Sequence, residues 1–267
     1  MVSVGVIPSR FASTRFPGKP LAKIAGRPLL EHVILGARRS EKLSEILVAT
    51  DHEEIAALAQ SLGARVVMTD PELPTGTDRV WAALKEAGLT HVDVAVNIQG
   101  DEPLIQAEPL DALVQAFEGR PQVDMATLGR GMDLSTPEGL EALQSVTTAK
   151  IVLNEADQAL YFSRFAIPFS RVKPLAPGDA SKSPGSQEIR MPRSVLKHVG
   201  IYAYRPRFLE RFCAAPPCEL ELFEGLEQLR ALSLGAKIHV VRTHHESWGV
   251  DTPEDVEKIE KMLNRRS

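Results

Sequence analysis

An α/β architecture with a mostly parallel, doubly wound sheet is expected for this chain. Short apolar runs recur through the first half, among them Val4-Gly5-Val6-Ile7, Ile46-Leu47-Val48-Ala49 and Val94-Ala95-Val96. Segments with helical apolar spacing separate them. Strands covered on both faces read as such runs, and strands joined through helices make βαβ units. The 267 residues suffice for one large α/β unit, and 43% hydrophobic with 25% charged residues is ordinary for a globular chain.

Each element follows from local signals. The first run stops at Pro8, which cannot donate to a sheet ladder. Arg27-Pro28 starts a helix in which Leu29, Leu30, Val33 and Ala37 keep helical spacing, and Pro28 suits its first position. Ile46 to Thr50 reads as a buried strand. Asp51 follows, placed to cap a helix carrying Ile55, Leu58, Ala59 and Leu62 that ends at Gly63. Arg65 to Thr69 is the next strand, and Thr75-Gly76-Thr77-Asp78-Arg79 opens a helix to Gly88. Val92 to Ile98 is a strand, Gln99 to Pro103 its following loop, Pro109 to Gly119 a helix, and Val123 to Leu128 a strand.

The second half has another rhythm. Ala149 to Leu153 and Ala159 to Ser163 pattern as a β-hairpin around the Asn154 to Gln158 turn. Pro174 to Ser194, rich in Pro, Gly and Ser, reads as a long surface loop. Lys197 to Tyr204 and Ile238 to Arg242 are strands. Leu220 to Leu234 reads as one helix despite Gly225, with Leu222, Leu226 and Leu229 as its buried stripe and Glu224, Glu227 and Gln228 opposite. Thr252, Pro253 and Asp255 start a C-terminal helix as cap, first position and third residue. One unit over 1–267 is expected, with its core over 1–145 and 196–267 and a smaller part over 146–195.

Composition excludes several function classes. A net charge of −4 and 5% aromatic residues argue against a surface that coats nucleic acid. Cys213 and Cys218 lack the company a zinc site or disulfide framework needs. Met1-Val2-Ser3-Val4 has no basic region ahead of an apolar stretch, and no run reaches membrane-spanning length. A cytoplasmic protein is the expectation.

The chemistry concentrates in loops after strands, where such sheets bind ligands. Pro8, Ser9, Arg10, Arg15 and Lys19, followed by Lys23 and Arg27, form a basic stretch with no acidic residue before Glu31. Small residues and fixed cations at a strand end suit a polyphosphate; the bland alternative is a solvated basic loop. The spacing matches neither a P-loop nor a dinucleotide-binding glycine motif. Asp101 and Glu102 at another strand end suit Mg²⁺ shared with phosphate oxygens, or else form a solvated turn. Asp255 complements a helix dipole, which leaves Asp251 free to act as a second metal ligand. His244-His245 has no ligand spacing, and His198 is as readily structural.

Taken together, the residues resemble a known family. Ile7-Pro8-Ser9-Arg10, Ser13-Thr14-Arg15-Phe16-Pro17-Gly18-Lys19-Pro20-Leu21, Ala49-Thr50-Asp51, Gly76-Thr77-Asp78-Arg79 and Asn97-Ile98-Gln99-Gly100-Asp101-Glu102-Pro103 match in order. So do Tyr161-Phe162-Ser163-Arg164, His198-Val199-Gly200-Ile201-Tyr202, Leu226-Glu227-Gln228-Leu229-Arg230 and Gly249-Val250-Asp251-Thr252-Pro253-Glu254-Asp255. The chain looks like a 3-deoxy-manno-octulosonate (Kdo) cytidylyltransferase, the CMP-Kdo synthetase family of bacterial lipopolysaccharide assembly.

The resemblance implies a nucleotide-diphospho-sugar transferase fold with a smaller hairpin and helix part for dimerisation and sugar binding. It implies the reaction of CTP with Kdo to CMP-Kdo and diphosphate, with Mg²⁺ as cofactor, in a homodimer that binds no nucleic acid. By that analogy Pro8, Ser9, Arg10, Lys19, Thr75, Gly76 and Arg79 bind CTP, and Arg10, Lys19 and Asp101 are catalytic. Asp101 and Asp251 ligate the metal. Arg15, Gln99, Arg164, His198, Tyr202, Glu227 and Gln228 line the sugar site, which gives the Glu227 face a role other than solvation. Leu73-Pro74-Thr75 and Thr147-Thr148-Ala149-Lys150 depart from the family pattern, and the 174–194 loop is longer than usual. A related acidic sugar, such as an 8-amino analogue or a sialic-acid-like substrate, stays open, as does a catalytically silent nucleotide-sugar-binding protein.

Overall fold

The apolar runs of the first half form strands that lie side by side. In a computed structural model of the chain, which describes residues 1–12, 15–169 and 192–264, β1 (Ser3–Ser9) is followed by a short ribbon, β2 (Lys23–Ile24) and β3 (Arg27–Pro28). Then come α1 (Leu29–Ala37), β4 (Glu45–Thr50), α2 (Glu53–Ser61), β5 (Arg65–Met68), α3 (Gly76–Glu86) and β6 (Val94–Asn97). Apart from the antiparallel β2–β3 ribbon, these strands are parallel: β1 pairs with β4 on one side and β6 on the other, and β4 pairs with β5. Ser13, Thr14 and most of the expected 174–194 loop fall outside the described residues.

The sheet continues through α4 (Ala107–Gln115), β7 (Met125–Arg130), α5 (Pro137–Gln144) and the hairpin β8 (Lys150–Leu153) and β9 (Ala159–Ser163). After these come β10 (Val195–Tyr204), α6 (Pro206–Ala214), α7 (Glu219–Glu224), α8 (Gln228–Ser233), β11 (Ile238–Arg242) and α9 (Pro253–Asn264). Across the sheet the order is β11-β7-β10-β6-β1-β4-β5. β10 is antiparallel to both its neighbours, β6 and β7, so the sheet is mostly parallel with one reversed strand near its middle. The N-terminal half of β10 also pairs with β8, which joins the hairpin to the main sheet.

Burial on both faces explains the runs. Ile7, Val48, Val94 and Val96 pack against α1 and α4 residues such as Leu30, Val33 and Leu113 on one side. Val4, Val6, Leu47 and Ala95 pack against Val80, Leu84, Phe208 and Phe212 on the other.

Four local expectations are corrected. Pro28 stands at the cap of α1 rather than in its first turn, because it closes the β2–β3 ribbon. His52, not Asp51, caps α2, accepting from the Glu54 N–H at 3.3 Å. The single helix over 220–234 is two helices, broken at Gly225, whose φ of 63° is left-handed. Its side chains are redistributed: Leu222 is exposed, whereas Glu221 is buried against Arg230 in an ion pair. α5 and α6 are additions that the strand-centred reading did not register.

Candidate functional site

β1 delivers its last residues to the rim, and the loop that follows is pinned from beneath. Asp51, at the end of β4, accepts the Phe11 N–H at 3.0 Å and pairs with the Arg79 guanidinium at 3.2 Å. That pair is enclosed, with side-chain exposures of 2% for Arg79 and 6% for Asp51. Arg79 also donates to Thr69 Oγ1. Burial pushes its pKa below the usual arginine value, against the pull of Asp51. Phe11 stacks on His52 at 3.9 Å between ring centres.

A cleft of about 260 Å³ opens above this foundation. Pro8, Ser9, Arg10, Arg15, Lys19, Thr75, Gly76, Arg79, Gln99, Asp101 and Asp251 all line it, so the structure gathers into one place residues spread over most of the chain. Thr75 caps α3 by accepting the Asp78 N–H and donating to Asp78 Oδ2 at 2.6 Å. The helix start therefore faces the cleft with Thr75 and Gly76, a setting that favours anions. Gly100 is required by contact: a Cβ there would sit 2.5 Å from the Pro8 carbonyl oxygen and 3.0 Å from Ser9 Oγ. Ser9 is 2% exposed, and its hydroxyl has no partner among the described residues.

The two expected metal ligands meet at Lys19. Its ammonium is 2.8 Å from Asp101 Oδ2 and 3.6 Å from Asp251 Oδ1, and Arg15 reaches Asp251 at 3.0 Å. Their loops are joined directly, since the Val250 N–H donates to the Asp101 carbonyl at 2.9 Å. Asp255 closes the other end of the Asp251 turn by accepting from the Asp251 and Thr252 N–H groups. The Lys258 ammonium and these donors hold the Asp255 carboxyl down to about 2.

The acidic pair 101–102 divides its labour. Asp101 faces the cleft, whereas Glu102 is 1% exposed and meets His245 Nε2 at 2.9 Å beneath it. This second link between the loops gives His245 a place that its sequence context did not announce. It bridges 143 positions, so no local pattern signals it.

A second pocket, about 410 Å³, is lined by Thr147, Arg164, His198, Gly200, Tyr202, Glu227 and Gln228 among others. Two bridges connect it to the first cleft. Gln99 donates to the Gly200 carbonyl at 3.0 Å, and Thr77 Oγ1, at the start of α3, donates to Glu227 at 2.6 Å. Glu227 is pushed above its ordinary carboxylate range by burial, which the Thr77 bond opposes. Tyr202 donates to Gln228 Oε1 at 3.3 Å, and burial raises its phenol well above 10. Burial also pushes His198 down to about 3.

Arg164 anchors the pocket floor. Its Nε donates to the Glu224 carbonyl at 2.8 Å, and its terminal nitrogens donate to Val146, Thr147 and Gly225 carbonyls. Lys150, wholly buried, donates to the Ser145 and Thr148 carbonyls at 2.9 and 2.7 Å and to that of Arg164. Burial lowers its pKa. Lysine is rarely enclosed in this way, so a lysine inside the apolar run Lys150-Ile151-Val152-Leu153 was the available sequence signal for this wall.

The arrangement is chemically coherent. Arg10, Arg15, Lys19 and the α3 N-terminus face the first cleft and suit a chain of phosphates, and the oxygen ligands Asp101 and Asp251 suit a hard divalent cation. The adjoining pocket mixes carboxyl, amide, phenol and imidazole groups, as a polyhydroxylated ligand requires.

Comparison with known proteins agrees with this geometry. A family model described as cytidylyltransferase matches residues 4–238. A 3-deoxy-manno-octulosonate cytidylyltransferase of Bdellovibrio bacteriovorus is 51% identical over 264 residues, 99% of this chain and 98% of that protein. An 8-amino-3,8-dideoxy-manno-octulosonate cytidylyltransferase of Shewanella baltica is 41% identical over 97% of each chain. A solved CMP:2-keto-3-deoxy-manno-octonic acid synthetase complexed with CTP is 34% identical and superposes with a TM-score of 0.84, covering 100% of both chains. With its sheet, its cleft and these full-length likenesses in agreement, the chain belongs to the cytidylyltransferase family, in the group that includes the 3-deoxy-manno-octulosonate cytidylyltransferases.

Proposed function

We propose that this protein transfers the cytidylyl group of CTP to 3-deoxy-manno-octulosonate, forming CMP-Kdo and diphosphate. The observation that carries the reading is the convergence of Lys19, Asp101 and Asp251 in a basic cleft bridged by Gln99 and Thr77 to a polar second pocket. The triphosphate occupies the first cleft and the sugar the second. The anomeric hydroxyl attacks the α-phosphorus in line, and diphosphate departs. Such transfers need positioning and charge neutralisation more than covalent chemistry. Pro8, Ser9, Thr75, Gly76 and Arg79 shape the CTP side, while Arg10 and Lys19 neutralise the phosphates. Arg164, His198, Tyr202, Glu227 and Gln228 serve the sugar side with Gln99 at the seam, whereas Arg15, expected on the sugar side, lines the triphosphate cleft beside Asp251.

Asp101 and Asp251 would hold Mg²⁺. Their two carboxylates fit an ion that takes one or two protein carboxylates and completes its shell with phosphate and water. When bound, it supplies charge neutralisation at the phosphates and lowers the pKa of the attacking hydroxyl. No helix among the described residues is long and apolar enough to cross a membrane; we place the enzyme in the cytoplasm, supplying lipopolysaccharide assembly. A homodimer is supported by exposed apolar side chains on and near α7, with Phe223 90%, Phe165 74% and Leu222 72% exposed.

The experiment is Kdo-dependent diphosphate release from CTP and Mg²⁺, run against UTP, ATP and GTP. Asp101→Asn is expected to lower turnover at least ~100-fold. Turnover within a few-fold of the parent would remove Asp101 from the metal site. The second reading, favoured by the 41% identity to 8-amino-sugar cytidylyltransferases, is tested by offering both sugars. A higher kcat/KM for the 8-amino sugar would select it. Tight CTP binding with no turnover on either sugar would point to a silent nucleotide-sugar-binding protein.

A further inference from the structure

Thr127 lies in the middle of β7, wholly buried, and its hydroxyl meets three partners. The Ile201 carbonyl is at 3.0 Å, the Val199 carbonyl at 3.3 Å and His198 Nε2 at 2.9 Å. A hydroxyl has one proton to donate, and a carbonyl oxygen can only accept. Giving that proton to Nε2 would turn the hydroxyl's lone pairs onto two carbonyl oxygens, so the favoured arrangement sends it to the carbonyls and leaves the Thr127 oxygen as acceptor towards the imidazole. It follows that Nε2 carries the ring hydrogen, which makes Nδ1 the nitrogen with the free lone pair.

The backbone is built to allow this. The pairing of β10 with β7 shifts register between Val199 and Tyr202, and on either side of Gly200 the Val199 and Ile201 carbonyls both come within hydrogen-bond reach of the Thr127 hydroxyl. Gly200, inside the shift, has its carbonyl bonded to Gln99. His198 and Tyr202 consequently line the same pocket. The His198 ring is braced by Phe162, edge-on at 5.2 Å, and by Tyr202 at 5.5 Å between centroids. The low pKa that burial gives His198 agrees with a ring that is neutral throughout the physiological range.

We propose that Thr127 is a positioning residue of the second pocket: its hydroxyl fixes His198 as the neutral, Nε2-protonated tautomer, so that Nδ1 serves as a hydrogen-bond acceptor for a hydroxyl of the sugar. The inference rests on the reading of that pocket as the sugar site. Without Thr127, the ring would be free to carry its hydrogen on Nδ1 and would offer a donor where an acceptor is needed.

The test combines a tautomer measurement with kinetics. Long-range ¹H–¹⁵N NMR of the ligand-free protein, with His198 assigned by comparison with His198→Gln, is expected to show the hydrogen on Nε2. Thr127→Val is expected to lose that preference and to raise KM for Kdo about tenfold, the scale of one hydrogen bond, with KM for CTP unchanged. Thr127→Ser is expected to restore both. An Nδ1-protonated ring in the unaltered protein overturns the proposal, whether or not the Val variant folds. So does a folded Val variant whose tautomer changes while KM for Kdo does not. Absence of Kdo turnover by the unaltered protein would instead overturn the assignment of the pocket.

Discussion

The Lys19 ammonium lies 2.8 Å from the Asp101 carboxylate, with side-chain exposures of 15% and 34%. The pair is half-buried at the cleft wall and still reached by solvent, which limits its contribution to stability to about 1 kcal/mol. Its value on the proposed function lies in holding a positive charge on the wall of the cleft assigned to the triphosphate. Lys19→Met is therefore expected to lower kcat at least ~100-fold, in the range of lost transition-state charge stabilisation, while urea unfolding changes little. A stability loss that accounts for the activity loss would make Lys19 a structural residue.

The enclosed Asp51–Arg79 pair behaves differently. Asp51→Ala strands a buried guanidinium and frees the Phe11 N–H. Breaking a buried pair from one side costs about 3–5 kcal/mol. The unfolding midpoint should fall accordingly, and KM for CTP should rise because the basic loop loses its anchor. A midpoint shift below the equivalent of ~1 kcal/mol, the level of an exposed pair, would contradict this.

Gly225 separates α7 from α8 at a φ of 63°, and a Cβ there would meet only Arg164 atoms at 3.9 Å or beyond. The site has room, so the cost of Gly225→Ala is conformational, about 1–2 kcal/mol for an L residue in the left-handed region. Stability should drop by that amount. KM for Kdo should rise several-fold with CTP unaffected, because the turn places Arg164 and Glu227 on the pocket. Equal losses for both substrates would mean that the turn serves the whole domain.

Glu227 gives a pH signature. Burial raises its folded-state pKa above the ordinary 4.5. Its stabilising proton is fully bound below that ordinary value, and stability is lost as pH rises through the folded value. Glu227→Gln keeps an acceptor for Thr77 and removes the titration. The variant should gain stability relative to the parent as pH increases from 4 to 8, read by urea unfolding. A difference that stays flat with pH would place Glu227 in a solvated setting.

The sequence was most readable where one element answers to its own residues. The runs at Val4, Ile46 and Val94 announce buried strands, and the Thr252-Pro253-Asp255 start of α9 is a local hydrogen-bond pattern. The convergence of the Lys19 and Asp101 loops was legible because parallel strands send their following loops to one rim, whereas Asp251 was singled out by its place ahead of the α9 start and by the family resemblance. What escaped depends on distant partners. Gly225 ends a helix because Glu221 and Arg230, nine positions apart, fold back on each other. Glu102 turns inward to His245, and Thr127 is an ordinary strand residue until the β10 register shift sets His198 against it. Side chains such as Lys150 break an apolar pattern, yet only the assembled carbonyls of Ser145, Thr148 and Arg164 explain why.

The backbone bond from Val250 to the Asp101 carbonyl also has a consequence for biosynthesis. The ribosome delivers the basic loop and Asp101 well before Asp251. A nascent chain can thus pair its central parallel strands long before its second carboxylate exists. The Asp101 loop gains its backbone tie only once residue 250 has been made, so the two carboxylates come into register after the central strands have paired.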